Sequence, residues 1–197
     1  FDGFRLDQLP DRPRFVLNST SLQSGVLFRF SKPYLADYRV GSWKAPTELL
    51  ARAVAASAGF PPVLSPVILK PPKGTFAPLE GADLTDDAYR RAVVLTDGGV
   101  YDNLGLETAW KTYRTVLVSD GGGRMEPQPD PPRLPLRQLK RVLNIIDNQV
   151  RALRKRHLID SYTLPADHQF HRKGAYWGIL TDIADYGLAD PLPCPFE

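Results

Sequence analysis

The chain is poor in the residues that build disulfides and metal sites. Among its 197 residues there is one cysteine, Cys194, and there are only three histidines. A single cysteine excludes an internal disulfide framework and leaves the cellular compartment undecided. No group of His, Cys and Asp residues has the spacing of metal ligands, so the sequence predicts no metal site.

Long apolar runs and a strong net charge are absent as well. The most apolar stretch, residues 49–69, contains Arg52 and three prolines, which excludes a membrane-spanning helix there. The net charge of +3 permits attraction to anionic lipids but does not favour nucleic acid as a partner. We therefore expect a soluble or peripheral membrane protein, compatible with the cytoplasm, whose oligomeric state the composition does not indicate.

Proline, by contrast, is abundant. The 19 prolines predict loops where they cluster, at residues 61–62, 71–72, 127–135 and 191–195. We expect one partial α/β domain over residues 1–197, interrupted by proline-rich loops at 70–90 and 126–135. The first of these loops directly precedes a predicted strand, so it is either a variable surface excursion or the border of an active cleft.

Hydrophobic periodicity predicts strands and helices along the whole chain. The predicted strands are Arg14–Ser19, Val26–Phe30, Ala92–Thr96, Thr115–Ser119 and Ala175–Ile183, with a further extended segment at Val63–Leu69. The predicted helices are Glu48–Ser57 with Thr47 as its N-cap, Leu104–Tyr113 and Leu136–Leu158.

The order strand, helix, strand between Ala92 and Ser119 predicts a βαβ unit, whose two strands run parallel. Asp97 and Asp120 follow these strands, so we expect both carboxylates at one edge of the sheet. The predicted fold class is therefore α/β, with a central, mainly parallel sheet flanked by helices.

The most informative motif lies at residues 93–105, with the sequence VVLTDGGVYDNLG. Asp97 follows an apolar run, and Gly98 and Gly99 let the backbone turn sharply behind it. In open α/β sheets ligands bind at this edge, which makes Asp97 a candidate catalytic residue. The alternative is a plain Asp-Gly-Gly turn in which Asp97 caps neighbouring amides.

Three separated segments, in order, resemble the patatin-like phospholipase family. They are residues 15–20 (FVLNST), residues 53–67 (AVAASAGFPPVLSPV), and Asp97-Gly98-Gly99 followed by residues 101–107 (YDNLGLE). The resemblance covers most of residues 14–120 and the second half of that fold. It implies hydrolysis of a phospholipid or another acyl-ester lipid, of the phospholipase A or lysophospholipase type. The reaction would use a Ser-Asp dyad with Asp97 as the acid member, and no cofactor.

Enzymes of this family carry the nucleophile in a Gly-x-Ser-x-Gly elbow, which this chain lacks, since no serine has glycine at both −2 and +2. The chain starts at Phe1, and its only methionine is Met125. We therefore expect a piece of a longer protein whose serine lies upstream, and no turnover by this chain alone. All three histidines lie beyond residue 150 and away from glycine turns, which favours direct pairing of the serine with Asp97. Gly98 and Gly99 would then allow close approach of the nucleophile loop and the substrate.

Two features near the motif have two interpretations each. Asp102 and Asn103 precede the helix predicted from Leu104, and either can cap it, while a functional interpretation has Asn103 hold the catalytic loop in shape. Residues 120–124, with the sequence DGGGR, are similar to the oxyanion loop of the family. They follow Asp97, however, whereas the family's loop precedes it. This segment is either a flexible exit from the sheet edge or a lip of the cleft, with Arg124 near a lipid headgroup.

The segment Arg137–Arg156 has seven basic residues and one acid, Asp147. Its apolar residues form one stripe at helical spacing: Leu139, Val142, Leu143, Ile146, Val150 and Leu153. We expect this stripe to pack on the sheet with solvated arginines outside, and contact with an anionic membrane is the alternative. Two rival functions remain. One is a catalytically silent module that holds lipid through the same cleft, which would follow if the full-length protein lacks a Gly-x-Ser-x-Gly motif. The other is a peripheral membrane-association domain that works through this basic helix.

Overall fold

The structure is a computed structural model that describes residues 3–123, 125–182 and residue 184. The described strands are β1 (Val16–Ser21), β2 (Leu27–Ser31), β3 (Tyr34–Asp37), β4 (Gly41–Lys44), β5 (Val67–Leu69), β6 (Phe76–Ala77), β7 (Val93–Asp97), β8 (Thr115–Asp120) and β9 (Lys173–Gly178). The α-helices are α1 (Leu50–Ser57), α2 (Asp87–Arg90), α3 (Gly99–Asp102), α4 (Leu106–Thr112) and α5 (Pro135–Thr163). The chain divides into two compact units, Phe1–Thr108 and Ala109–Glu197.

The first unit is built on a sheet whose described strands lie in the order β5-β7-β1-β2-β3-β4-β6. Every pairing between these strands is antiparallel. The hairpin between β1 and β2 closes where the Gly25 amide donates to the Ser21 carbonyl, 2.9 Å away, with Gly25 at a φ of +72°. Glycine adopts this left-handed conformation without the steric cost that a side chain brings.

The core of the first unit lies on one face of this sheet. Phe28 and Phe30 are fully buried and meet edge to face, with ring centroids 5.0 Å apart. Ala53 and Ala56 of α1 are also fully buried, because small side chains let the helix approach the sheet closely. Each large apolar side chain removed from water contributes roughly 1.5–3 kcal/mol to stability. The remaining members of this core cluster are Leu6, Leu35, Val40, Leu69, Phe76, Val93 and Leu95.

The second unit contains the parallel pair of β8 and β9, in register from Thr115 opposite Lys173 to Asp120 opposite Gly178. Val116 and Val118 are buried, whereas Leu117 between them is 66% exposed. Helix α5 contacts this pair through its C-terminal half, where the Tyr162 hydroxyl donates to the Val116 carbonyl at 2.9 Å.

The predicted fold class is wrong. Strand β7 lies between β5 and β1 and is antiparallel to both, while β8 belongs to the separate pair with β9. The predicted βαβ unit is therefore not formed, and Asp97 and Asp120 end strands of different sheets. The apolar runs were recognised correctly, but an apolar run reports burial and not the direction of its neighbours. Strands β3 and β4, which the sequence analysis did not predict, extend the antiparallel sheet.

Most predicted elements are found with small shifts at their ends. The predicted N-cap Thr47 is wrong, because α1 begins at Leu50 after Leu49, with no side-chain cap. Loop 70–90 contains β6, which pairs with β4, and the short helix α2. The end of the predicted last strand at Ile183, and also Arg124, Cys194 and prolines 191–195, lie outside the described residues.

The predicted packing of the apolar stripe of α5 on a sheet is also wrong. Leu139, Ile146 and Leu153 are more than half exposed. The side of α5 that faces its own unit instead carries Leu158 and Ser161, the buried residues of the helix. Within the described residues, no helix is both long and apolar enough to cross a bilayer.

Candidate functional site

Asp97 is the last residue of β7 and lies opposite Ser19 of β1. Asp97 is half-buried, so its side chain is both packed against the protein and accessible to solvent. Its amide donates to the Gly59 carbonyl at 3.0 Å, and the next amide, that of Gly98, donates to the Ser57 carbonyl at 3.1 Å. The turn after β7 is therefore fastened to the C-terminal end of α1.

The Asp97 carboxylate has a local partner. Its Oδ1 accepts a hydrogen bond of 2.6 Å from the amide of Gly99, the first residue of α3. This is the amide contact expected of a plain Asp-Gly-Gly turn. The contact fixes the direction of the carboxylate. This geometry is compatible both with a plain turn and with a catalytic role for Asp97.

Gly98 is required by a neighbour within the chain. A Cβ built on it would lie 2.3 Å from the carbonyl oxygen of Asn18 in β1. A Cβ on Gly99 would lie 2.9 Å from Oδ1 of Asp97. The sequence analysis assigned both glycines to the approach of a nucleophile loop and a substrate. The structure shows that they first allow β1 and the carboxylate itself to come close.

A hydroxyl group from β1 joins the two sides of the turn. Thr20 Oγ1 donates to the Asp97 carbonyl at 2.8 Å and accepts from the Tyr101 amide at 3.1 Å. Thr20 is 5% exposed, so these bonds are shielded from water. The sequence analysis missed this residue, although a run of hydroxyl and amide side chains in a predicted strand, NSTS at 18–21, was a signal.

Ser19 is the serine whose backbone pairs with Asp97, but it is not placed as a nucleophile. It is fully buried, and its hydroxyl lies 2.6 Å from the Thr96 carbonyl and 2.9 Å from the Ala56 carbonyl. A nucleophile must be reachable by substrate and must meet a base rather than carbonyl acceptors. Ser19 therefore links β1, β7 and α1 structurally.

Two residues after the glycine turn, Asp102 and Asn103, have different positions in the structure. Asp102 is 3% exposed, and its Oδ2 accepts a 2.6 Å bond from the Glu107 amide in the first turn of α4, which confirms the predicted cap. Asn103 follows α3 and is half-buried. Its Cβ lies 3.8 Å from the place where Gly99 would carry one, so Asn103 stands beside the turn.

The three segments that carry the family resemblance meet at this turn. Segment 15–20 supplies Thr20, segment 53–67 supplies the Ser57 and Gly59 carbonyls, and the third segment is the turn itself. They are separated by tens of residues in the sequence. Their convergence is a tertiary feature that the resemblance by itself did not require.

The second Asp-Gly-Gly sequence has the same local turn in a different setting. Asp120 Oδ1 accepts from the Gly122 amide at 2.8 Å and lies 3.7 Å from a nitrogen of Arg151. Its Oδ2 accepts from the Tyr176 hydroxyl at 2.6 Å. With an exposure of 8%, this carboxylate is held between β8, β9 and α5. The Asp120 carboxylate thus joins its turn to β9 and α5.

A buried serine–aspartate pair, Ser24 and Asp37, lies apart from the Asp97 turn. The Ser24 hydroxyl donates to Oδ2 of Asp37, and these residues are 6% and 1% exposed. The Arg39 amide donates to Oδ1 of Asp37 at 2.9 Å. The guanidinium of Arg39 also donates a hydrogen bond to Asp83. This bond lowers the pKa of the Asp83 carboxyl and raises the pKa of Arg39. The buried Ser24–Asp37 pair is closed to substrate, and it links the connection between β1 and β2 to the end of β3.

No family model matches the sequence, and no curated protein is significantly similar to it. Within the described part of the chain, no three His, Cys, Asp or Glu side chains are grouped as metal ligands. Three cavities of about 440, 410 and 320 Å³ lie elsewhere in the first unit, and Asp97 lines none of these three. The candidate site is thus defined by the Asp97 turn rather than by a cavity.

Proposed function

We propose that this chain supplies the aspartate half of a lipid acyl-ester hydrolase of the phospholipase A or lysophospholipase type. The observation that carries the proposal is the convergence of three segments on the Asp97 turn. These are the segments whose sequences resemble the patatin-like family. A turn with a purely structural role needs only its own glycines and one acceptor. The Asp97 turn is also hydrogen-bonded to Thr20 of β1 and to the carbonyls of Ser57 and Gly59 at the end of α1.

In the proposed reaction, the hydroxyl of a serine outside these 197 residues attacks the ester carbonyl. Asp97 accepts the hydroxyl proton and passes it to the departing alcohol, which leaves an acyl-serine. A water molecule then attacks the acyl group while Asp97 takes its proton. Asp97 passes this proton to the departing serine oxygen, which releases the fatty acid and restores both the serine hydroxyl and the carboxylate. No cofactor takes part. The bond from the Gly99 amide keeps the carboxylate aligned through both steps.

The other candidate residues of the turn have supporting roles. Gly98 lets the turn lie against β1, Gly99 orients the carboxylate, and Asn103 stands beside Gly99. The substrate is a phospholipid or another acyl-ester lipid, so the protein acts in peripheral contact with a lipid surface. A lipid-binding module without catalysis would use the same surface but would not need the carboxylate of Asp97.

The first experiment asks whether this chain holds a reactive serine. The 197-residue chain is incubated with a fluorophosphonate probe, which forms a stable bond with activated serines. We expect no labelling, because Ser19 and Ser24 are buried and donate to other acceptors, and no serine of the chain lies in a Gly-x-Ser-x-Gly elbow. Stoichiometric labelling of a serine within the chain would contradict the assignment of the nucleophile to another segment.

The second experiment uses the complete protein that contains this chain and the proposed serine. Asp97→Asn should lower hydrolysis of a short-chain phospholipid by roughly 10²–10⁴-fold, the usual contribution of a general base. Asp120→Asn is the matched control, since Asp120 also ends a strand before a run of glycines, and it should retain activity when folded. Lipid binding without hydrolysis, unchanged by Asp97→Asn, would show the silent module instead.

A further inference from the structure

Helix α5 has an apolar side that its own unit leaves uncovered. Leu136, Leu139, Leu143, Ile146, Val150 and Leu153 form this side, which we call the α5 seam. Val150 is half-buried, and the other five are between 39% and 82% exposed. Large exposed apolar patches of this kind usually mark interaction sites.

Three basic side chains of α5 make contacts within the chain. Arg151 donates to the Gly123 carbonyl at 2.6 Å, and Arg141 donates to the Glu126 carbonyl at 2.9 Å. The ammonium of Lys155 lies 4.3 Å from the centre of the Tyr176 ring. These contacts hold the three side chains away from the seam. A helix that binds an anionic membrane needs its basic groups free to reach headgroups, so this arrangement favours a protein partner.

The spacing of the seam is that of a coiled coil. Its residues follow one another at intervals of three, four, three, four and three positions, from Leu136 to Leu153. This is the alternation of a and d positions in the heptad repeat, in which apolar side chains of one helix fit between those of another. The natural occupant of such a seam is therefore a second helix with the same spacing.

The charges beside the seam select the partner and its direction. Lys140 and Asp147 both occupy e positions, next to Leu139 and Ile146. In an antiparallel pair of α5 helices with Leu143 opposite Ile146 of the second copy, e positions face e positions. Lys140 then meets Asp147 of the second copy, and two-fold symmetry forms this ion pair twice. In a parallel pair Asp147 would face Val142 instead, without charge complementarity.

We propose that the chain forms a homodimer through the α5 seam, with its two α5 helices antiparallel. The proposal does not depend on the proposed hydrolysis, since Asp97 lies in the other unit. Asp147 can accept a further donor beside any partner within its own chain, because a carboxylate has four acceptor positions.

The first test is sedimentation velocity of the full chain at low ionic strength. A species of twice the 22.0 kDa chain mass should form as concentration rises. Ile146→Lys should raise the dimer dissociation constant at least about tenfold, because it places a charge within the apolar seam. Ile159→Lys is the matched control, since Ile159 is 39% exposed on the same helix but outside the seam, and it should leave the constant unchanged.

The second test reverses the charges. Lys140→Glu and Asp147→Lys should each weaken the dimer, because each places like charges opposite one another twice. An equimolar mixture of the two variants should dimerise again, since both ion pairs of the mixed dimer are attractive. This recovery should fade in high salt, as expected for exposed pairs.

Three results would overturn the proposal. A chain that stays monomeric up to about 100 µM has no useful self-affinity. A dimer unaffected by Ile146→Lys uses another surface. A monomeric chain that binds phosphatidylserine vesicles, and loses that binding on Ile146→Lys, presents the seam to lipid.

Discussion

Gly98 packs directly on the backbone of Asn18, so that a Cβ on Gly98 would lie 2.3 Å from the Asn18 carbonyl oxygen. The φ of Gly98 is −62°, which any residue can adopt, so the requirement for glycine here is one of space. Gly98→Ala should therefore lower the free energy of unfolding by about 1–3 kcal/mol, the usual cost of overpacking. Urea denaturation of the chain measures this change.

Gly121→Ala is the matched control for that substitution. Gly121 also follows an aspartate at a strand end, but a Cβ on it would have no atom within 4 Å. We expect its effect on unfolding to stay within about 0.5 kcal/mol. Equal effects at Gly98 and Gly121 would show that β1 does not press on the turn.

Thr20 should be the residue whose hydroxyl stabilises the turn most. Thr20→Val keeps the branched shape but removes the bonds to the Asp97 carbonyl and the Tyr101 amide. We expect a loss of about 1–3 kcal/mol, since buried polar groups lose a partner. Hydrogen exchange of the Tyr101 amide should accelerate as well. Thr75→Val, at an exposed loop hydroxyl, should change neither measurement.

Asp102 should contribute to stability as a helix cap. Asp102→Ala removes the acceptor for the Glu107 amide and should cost about 0.5–2 kcal/mol, the range measured for capping residues. Asp86→Ala is the comparison, because Asp86 precedes α2 without a side-chain capping bond. Thermal unfolding followed by circular dichroism should separate the two variants, and identical melting temperatures would refute the capping role.

Tyr162 should make stability depend on alkaline pH. Burial raises the pKa of the Tyr162 phenol above its ordinary value of 10.0, so the folded state favours the neutral form. A raised pKa in the folded state gives stability that is complete below pH 10.0 and is lost as pH rises through the folded value. Tyr162→Phe should remove this dependence, and it should also cost about 1 kcal/mol at neutral pH through the lost bond to Val116.

The control for this pH dependence is Tyr113→Phe, because Tyr113 is 54% exposed. It should leave the alkaline loss of stability in place. Urea denaturation of both variants over a series of alkaline pH values makes the comparison. An unchanged slope in Tyr162→Phe would mean that another group titrates there.

Local features of the site could be predicted from the sequence. The strand before Asp97, the glycine turn behind it and the cap at Asp102 all depend on residues within a few positions of one another. Such features follow from backbone sterics and short-range hydrogen bonds, which a sequence pattern reports directly.

The partners of the site could not be predicted in this way. Thr20 reaches the turn only because β1 pairs with β7 across more than seventy residues of sequence, and the prediction placed β8 there instead. Strands β3 and β4 have four residues each, too few for a clear alternating pattern. The exposure of the α5 seam likewise depends on which side of the helix meets Tyr176 and Asp120.

By itself the sequence determined that the segments of β1, β2 and β7 are extended, that the chain turns at Gly98 and Gly99, and that Asp97 stands at the end of a buried strand. The tertiary structure decided that this strand is antiparallel to its neighbours and that β1 holds the turn. The physical reason is that an apolar pattern records whether a residue is buried. The choice of strand partner instead follows from the summed packing and hydrogen bonding of segments far apart in the chain.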